Sequence, residues 1–151
     1  MSIIALEQSI AAPADTVFRS VTEIERFPEI QPDVVSVEFV GEKRGGIGTR
    51  FIETRRHGNK EMKTDLEVTE WVENERTRMV TDSHGTVWDT LFEVMPDGDK
   101  TTLRITMDAR PHKLLPKIMS PFMQGFFRKG IASYLDLLRD HCEEQARSAP
   151  V

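Results

Sequence analysis

The feature that most constrains the fold is a change in hydrophobic period along the chain. From Val34 to Ala109 apolar and polar residues alternate, as at Val35, Val37 and Phe39, which is the pattern of strands with one buried face. From Ile118 to Gln145 the apolar period becomes 3.6 residues, the pattern of one amphipathic helix about 42 Å long. The chain therefore predicts a sheet followed by a long C-terminal helix.

Turn signals give the number of strands and their pairing. They divide the alternating region into six strands, and a further strand, Ile3 to Ile10, precedes it. Because the turns are short, neighbouring strands are expected to pair antiparallel.

Pro13 indicates a helix that runs to about Val21. Thr22 is expected to cap a second helical turn that ends before Pro28. Two short helices therefore separate the first strand from the other six.

Length and charge limit the classes of protein. A chain of 151 residues fits one domain, predicted over residues 1–147 with a flexible tail at 148–151. The net charge is −5 and the basic residues are scattered, which argues against a nucleic-acid partner. No apolar run is long enough for a membrane span and no signal peptide is visible. We therefore expect a soluble, cytoplasmic protein.

The sequence contains no compact catalytic or metal-binding motif. Its four histidines, His57, His84, His112 and His141, are far apart and lack the spacing of metal ligands. The single cysteine, Cys142, excludes an internal disulfide and is expected to act as a small apolar residue. The glycine-rich stretch after residue 40 enters a strand rather than a helix, so it is no phosphate loop. We expect neither a metal nor a cofactor.

The dimensions of sheet and helix predict a cavity between them. Seven strands span about 34 Å, whereas one helix is about 10–12 Å across, so the sheet must curl around the helix and leave apolar space. Alternatively, the methionines among the residues expected to line this space only fill an irregular core. The expected lining residues are Phe51, Glu53, Met62, Thr64, Leu66, Met79, Trp88, Thr90, Phe92, Met107, Met119, Met123 and Phe126.

Two polar residues are candidates for acid–base chemistry in this cavity. In the strand from Thr49 to Arg56, Glu53 shares a face with Arg55, and the opposite face also carries charged residues. Charged side chains are therefore expected to point inward whichever face of the strand is buried. Glu53 is a candidate base or hydrogen-bond acceptor; alternatively, Glu53 and Arg55 pair near a sheet edge. Tyr134 on the long helix is the second candidate, and its hydroxyl could equally bond a backbone carbonyl.

Four stretches carry a resemblance to a known family. They are Ala11–Val40, Gly46–Phe51, Leu66–Val80 and Phe92–Met107, and they contain a proline-bounded helix pair, a GxGT strand entry and a DGxxT hairpin. This pattern resembles the START-like (SRPBCC) helix-grip superfamily, in its polyketide cyclase/dehydrase-like branch. The resemblance implies an α+β fold in which a curved seven-stranded antiparallel sheet wraps around the C-terminal helix. It also implies an apolar ligand cavity, without selecting one reaction.

Three functions remain open at this point. The first is binding of a small, largely apolar molecule, such as a lipid, an isoprenoid or a polyketide-like compound. The second is a cyclase or dehydratase that uses Glu53 and Tyr134 to move protons, and the third is a protein-interaction module. A homo-oligomer is possible in each case. A basic group near the helix start could attract an anionic head group or only neutralise the acidic sheet: Arg110, His112, Lys113, Lys117, Arg128 and Lys129.

Overall fold

The computed structural model describes residues 2–83, 85–113 and 121–148, except for the side chains of residues 2, 121 and 122. Seven strands in this part of the chain form a single antiparallel sheet. They are β1 (Ser2–Ile10), β2 (Val34–Val40), β3 (Arg50–His57), β4 (Lys60–Val72), β5 (Arg76–Ser83), β6 (Thr86–Asp97) and β7 (Lys100–Pro111). Their order across the sheet is β1-β7-β6-β5-β4-β3-β2, so the first strand pairs with the last. The predicted antiparallel sheet of seven strands is confirmed.

The helices of the described residues also follow the predicted order. They are α1 (Ala14–Thr22), a 3₁₀ turn (Ile24–Arg26), α2 (Phe27–Ile30) and α3 (Pro121–Ser148). Helix α3 continues without interruption past Gly125 and Gly130, although glycine lowers helix propensity. The predicted helix start at Ile118 and residues 149–151 of the predicted tail lie outside the described residues. Ser148, the first residue of that predicted tail, is still part of α3.

The predicted cap at Thr22 is wrong. Thr22 is the last residue of α1, and its hydroxyl donates to the carbonyl of Phe18 at 2.8 Å. A threonine inside a helix often bonds the carbonyl one turn earlier, and this bond removes the hydroxyl from the capping position. Pro28 does not stop the second helix either, since it lies in the first turn of α2, where proline is well tolerated.

The antiparallel order determines which turns lie at the same end of the sheet. Because consecutive strands are antiparallel, the β3–β4 turn at Gly58 and the β5–β6 turn at Gly85 lie at the same end. The long β2–β3 connection lies at the other end. Gly46 and Gly48 in that connection have φ angles of 81° and 92°, and glycine adopts this left-handed region without a steric penalty.

The outer face of the sheet carries a chain of ion pairs. Glu70 accepts hydrogen bonds from Arg76 and Arg78, and these bonds lower the pKa of its carboxyl. Arg78 also donates to Asp89 at 2.8 Å, and Arg110 donates to the same carboxylate at 3.2 Å. The groups come from β4, β5, β6 and β7, so the chain of charges crosses four strands. Apolar side chains on this face, such as Leu91, are only half-buried, whereas Phe92 and Ile105 on the inner face are buried.

The hydrophobic core lies between the inner face of the sheet and the helices. Helix α1 contributes Val17, Phe18 and Val21, each at most 1% exposed, from positions that share one helix face. Helix α3 contributes Leu135 and Leu138, which are 2% and 0% exposed. The backbone of α3 lies against β1, α1 and α2. Its contact with the middle of the sheet is made by side chains.

Candidate functional site

The strand registers show which residues share the inner face. Phe51 pairs with Leu66, and Glu53 pairs with Thr64, across β3 and β4. Directly paired residues point to the same side of a sheet, and Phe51 is fully buried, so these residues face inward. The same reasoning along β5, β6, β7 and β1 assigns Met79, Trp88, Thr90, Phe92, Met107 and Ile4 to the inner face.

The inner face has two regions that differ in burial. We call the region near α1 the packed end; its residues Ile10, Val94 and Leu103 are 0%, 4% and 0% exposed. We call the region toward the β3–β4 and β5–β6 turns the accessible end; it contains Thr64, Leu66, Trp88, Thr90 and Met107, all only half-buried. Inward-facing side chains that keep contact with solvent are not fully covered by the helix. The accessible end is thus the candidate site.

Helix α3 reaches the accessible end through Phe127 and Tyr134. The ring of Phe127 lies 5.0 Å from that of Trp88, and the ring of Tyr134 lies 6.4 Å from that of Phe92, edge to face. Phe126, the predicted packing residue, is 65% exposed instead, although its ring contacts that of Phe127 at 5.7 Å. Successive helical residues point about 100° apart, so only one of the two phenylalanines can face the sheet.

A polar cluster interrupts this apolar wall, and it resolves the open question of strand parity. Glu53 points inward and is 8% exposed. Arg55, on the same face, donates from Nε to Oε1 of Glu53 at 2.7 Å and from Nη2 to Oε1 of Gln31 at 2.8 Å. Gln31 follows α2 and is 6% exposed. The arginine compensates the charge of the buried carboxylate, and the amide helps to orient the arginine.

Tyr134 lies within the electrostatic influence of this cluster. Burial raises the pKa of its phenol far above the ordinary value, and the negative charge of Glu53 raises it further, while Arg55 acts in the opposite direction. The phenol therefore stays protonated at any physiological pH. Glu53 and Tyr134 thus influence each other electrostatically, and their roles as base and acid stay predictions.

The remaining predicted residues occupy different parts of the site. Met79 is buried at 4% and belongs to the core, whereas Met62 is 52% exposed, next to the β3–β4 turn. Met123 is half-buried on α3, and Met119 lies outside the described residues. Gln31 was not predicted, because it lies between two prolines in a connection and carries no strand pattern that would indicate an inward side chain.

The predicted basic group is partly neutralised. Arg110 pairs with Asp108 and Asp89 at 2.7 and 3.2 Å, and His112 contacts Asp82 at 2.8 Å. Arg128, Lys129 and Lys113 are exposed, and Lys117 lies outside the described residues. Arg110 thus serves the outer face of the sheet, as the neutralising interpretation predicted.

Other types of site find little support in the described residues. No group of three His, Cys, Asp or Glu side chains among them could hold a metal ion. Cys142 is fully buried, and burial raises the pKa of its thiol, so it packs as an apolar residue. A shallow surface groove lies between α1, α2 and α3 and includes Arg19, Arg26 and His141. Within the described ranges, no helix is both long and apolar enough to cross a membrane.

Comparisons with known proteins agree with this architecture. The family model described as "Polyketide cyclase / dehydrase and lipid transport" matches residues 1–143. No curated protein sequence matches the chain.

Solved structures share the fold at low sequence identity. The di-domain ARO/CYC BexL is 18% identical with a TM-score of 0.80 over 99% of this chain and 48% of its own. A Thermus thermophilus protein, TTHA0849, is 20% identical with a TM-score of 0.76 over 98% and 100%. Norcoclaurine synthase from Thalictrum is 16% identical with a TM-score of 0.75 over 95% of both chains. At these identities the likeness establishes the fold alone.

Proposed function

Because the chain belongs to the polyketide cyclase/dehydrase and lipid transport family, we propose that it binds a small, largely apolar molecule at the accessible end. The observation that carries the proposal is the partial exposure of inward-facing Leu66, Trp88 and Met107. Burial of such surface releases about 25 cal/mol per Å², so an apolar molecule that covers it binds favourably. A lipid, an isoprenoid or a polyketide-like compound fits this description.

The polar cluster gives this ligand a fixed orientation. Glu53 and Arg55 form one ion pair at 2.7 Å, and the side chain of Arg55 is 33% exposed, so one edge of the guanidinium can still meet a ligand. A few polar groups in an apolar pocket commonly orient a ligand. We therefore assign the polar end of the ligand to Glu53 and Arg55, with Tyr134 as a nearby donor, and its apolar body to Leu66, Trp88 and Phe127. The half-buried residues Thr64, Thr90, Met107 and Met123 keep their assignment to the lining as predictions.

Native mass spectrometry of the protein as purified tests this proposal directly. A retained small molecule, released by denaturation and identified by its fragment masses, is the expected result. Where no molecule is retained, we measure the binding of undecan-1-ol and of a polar control of equal length by calorimetry. Binding of undecan-1-ol but not of the control is expected, and absence of binding by undecan-1-ol would contradict the proposed function.

A second candidate is catalysis of the cyclase or dehydratase type, favoured by the buried Tyr134, whose pKa is raised by burial and by the charge of Glu53. Two structurally similar proteins are a norcoclaurine synthase and a di-domain ARO/CYC. In this alternative Glu53 removes a proton from a bound carbonyl compound, and Tyr134 donates one to the developing oxyanion.

The variant Glu53→Gln separates the two functions. It keeps nearly the same shape but cannot accept a proton at ordinary pH, so an enzyme that uses Glu53 as its base is expected to lose about 100-fold or more in turnover. Ligand affinity is expected to change far less. Full turnover in Glu53→Gln would exclude this base, and a parent protein inactive on a broad panel of polyketide-like substrates would favour binding alone.

The remaining expectations from the sequence stay predictions. They are one domain over residues 1–147, a cytoplasmic location, no cofactor and no nucleic-acid partner. A homo-oligomer remains possible. Size-exclusion chromatography with light scattering, on the protein with and without a bound probe, tests the oligomeric state independently of the ligand.

A further inference from the structure

Thr86, the first residue of β6, has an unusual hydroxyl. The residue is 0% exposed, yet its Oγ1 has no hydrogen-bond partner among the residues that the structure describes. Other buried threonines satisfy theirs: Thr49 donates to Gly46 at 2.9 Å and Thr101 to Ala12 at 2.7 Å. Buried hydroxyls without a partner are rare because desolvation costs free energy that no bond restores. Such a group therefore points to a function.

The register places Thr86 on the inner face at the accessible end, buried next to its half-buried residues. It lies two residues before Trp88 on the same strand, and β-strand side chains two positions apart face the same side. Its cross-strand partners are Ser83 on β5 and Pro111 on β7. The side chain thus belongs to the inner face, two positions from Trp88, whose ring contacts that of Phe127.

Thr86 also lies at the same end of the sheet as the polar cluster. Glu53 on β3 pairs with Thr64 on β4, and Thr86 on β6 pairs with Ser83 on β5. The paired stretch of β4 and β5 ends at Glu67 and Val80, and both of these pairs lie beyond it, toward the β3–β4 and β5–β6 turns. Glu53 and Thr86 therefore face the same side of the sheet at its accessible end, with β4 and β5 between them.

Apolar residues lie next to these two polar points. Leu66 is two positions from Thr64 on β4, and Trp88 is two positions from Thr86 on β6; both are half-buried and face inward. Met107 on β7 faces the same side. A molecule that reaches from Glu53 to Thr86 therefore meets polar groups at its two ends and apolar surface along its middle.

We propose that Thr86 binds an oxygen atom of the ligand, and that the ligand is an apolar molecule with an oxygen function at each end. One oxygen meets Glu53 and Arg55, and the other meets Thr86. This inference rests on the proposed binding function and deepens it by naming the ligand class. A threonine hydroxyl both donates and accepts, so a hydroxyl or a carbonyl satisfies it equally.

A comparison of two probes of equal size tests this inference. Decane-1,10-diol has a hydroxyl at each end, and undecan-1-ol replaces one of them with a methyl group. We measure both dissociation constants by calorimetry, for the parent protein and for Thr86→Val, which keeps the shape of the side chain. The affinity ratio of diol to alcohol is expected to fall about tenfold in Thr86→Val, the worth of one hydrogen bond.

Two control variants sharpen the result. Thr86→Ser keeps the hydroxyl and is expected to keep the preference for the diol. Thr106→Val makes the same chemical change on β7, where Thr106 pairs with Leu91 on the outer face, and is expected to leave the ratio unchanged.

Thermal unfolding adds a readout: because the hydroxyl of Thr86 has no partner among the described residues, Thr86→Val is expected to have an equal or higher Tm.

The possible outcomes are distinct. If neither probe binds the parent protein, the proposed function and this inference fail together. If both bind but the ratio is the same in Thr86→Val, only the role of Thr86 is overturned. A clear drop in Tm for Thr86→Val with an unchanged ratio would show that the hydroxyl serves the fold instead of a ligand.

Discussion

The packed end and the accessible end are two parts of one inner face, yet they differ in burial. Strands β6 and β7 run through both: Val94 and Leu103 are 4% and 0% exposed, whereas Trp88 and Met107 on the same strands are half-buried. All four residues are large and apolar, so composition does not explain the contrast. The difference lies in what covers each part of the sheet.

Helix α1 supplies the additional cover at the packed end. Phe18 and Val21 fill the space there at 1% and 0% exposure, and α3 lies against the same helix. At the accessible end, the described side chains that reach Trp88 and Phe92 come from α3, and one helix is too narrow to cover several strands. The two short helices after β1 therefore decide where the described inner face is filled.

The largest expected effect is on stability. Leu103→Ala at the packed end is expected to lower the free energy of unfolding by about 2–5 kcal/mol, because a fully enclosed side chain leaves a cavity that cannot collapse. Leu66→Ala at the accessible end should cost only about 1–2 kcal/mol, since part of that side chain is already in contact with solvent. Urea unfolding of both variants and the parent measures the difference. Equal losses would mean that the two ends are packed alike.

The next effect is on ligand affinity and compares two adjacent residues of α3. Phe127→Ala is expected to weaken binding of undecan-1-ol at least about tenfold, because its ring lies 5.0 Å from Trp88 and contributes a large apolar surface. Phe126→Ala should change the affinity less than about twofold, since Phe126 is 65% exposed. Calorimetry on both variants gives the two constants. A larger loss in Phe126→Ala would restore the assignment made from the sequence.

This pair of phenylalanines shows where sequence reasoning stops. The fold followed from the change of period, because periods of two and 3.6 need opposite backbone geometries. The rotation of α3 did not, since Phe122, Met123, Phe126 and Phe127 make the apolar stripe broad. A broad stripe fits several rotations about equally, and contacts with distant residues such as Trp88 select one of them.

The polar parts of the site were predictable to different degrees. Alternation along β3 correctly put Glu53 and Arg55 on one face, and the choice between the two faces required the burial of Phe51. Gln31 joins Arg55 from 24 positions away in the sequence, and no local pattern indicates such a contact. The hydroxyl of Thr86 was not predictable either. Whether a buried threonine finds a carbonyl acceptor depends on tertiary packing, and the sequence does not show it.

A smaller, spectroscopic effect compares the two tryptophans of the chain. Trp71 packs edge to face on Phe18 of α1 at 5.4 Å, near the packed end, whereas Trp88 lies at the accessible end. Undecan-1-ol is therefore expected to change the emission of Trp71→Phe, in which only Trp88 remains, and to leave that of Trp88→Phe nearly constant. Calorimetry confirms that both variants still bind. A full response in Trp88→Phe would place the probe away from the accessible end.

The smallest effect concerns the protonation of Tyr134, the single tyrosine of the chain. Burial and the charge of Glu53 raise the pKa of its phenol, whereas in the unfolded chain it titrates near 10. The unfolded state therefore loses this proton first, so stability due to Tyr134 is complete below about pH 10 and declines as pH rises beyond it. Tyr134→Phe is expected to lack this part of the decline in urea unfolding.

The absorbance of tyrosinate follows the same proton in the folded protein and shows how much Glu53 contributes. In the parent protein the signal is expected to appear only well above pH 10, for as long as the chain stays folded. Glu53→Gln removes the charge but leaves the burial, which is the larger cause, so the pKa of Tyr134 should fall only part of the way toward its ordinary value. An unchanged titration in Glu53→Gln would show that the charge of Glu53 does not affect the pKa of Tyr134. That result would remove the observation that favours acid–base catalysis at the accessible end.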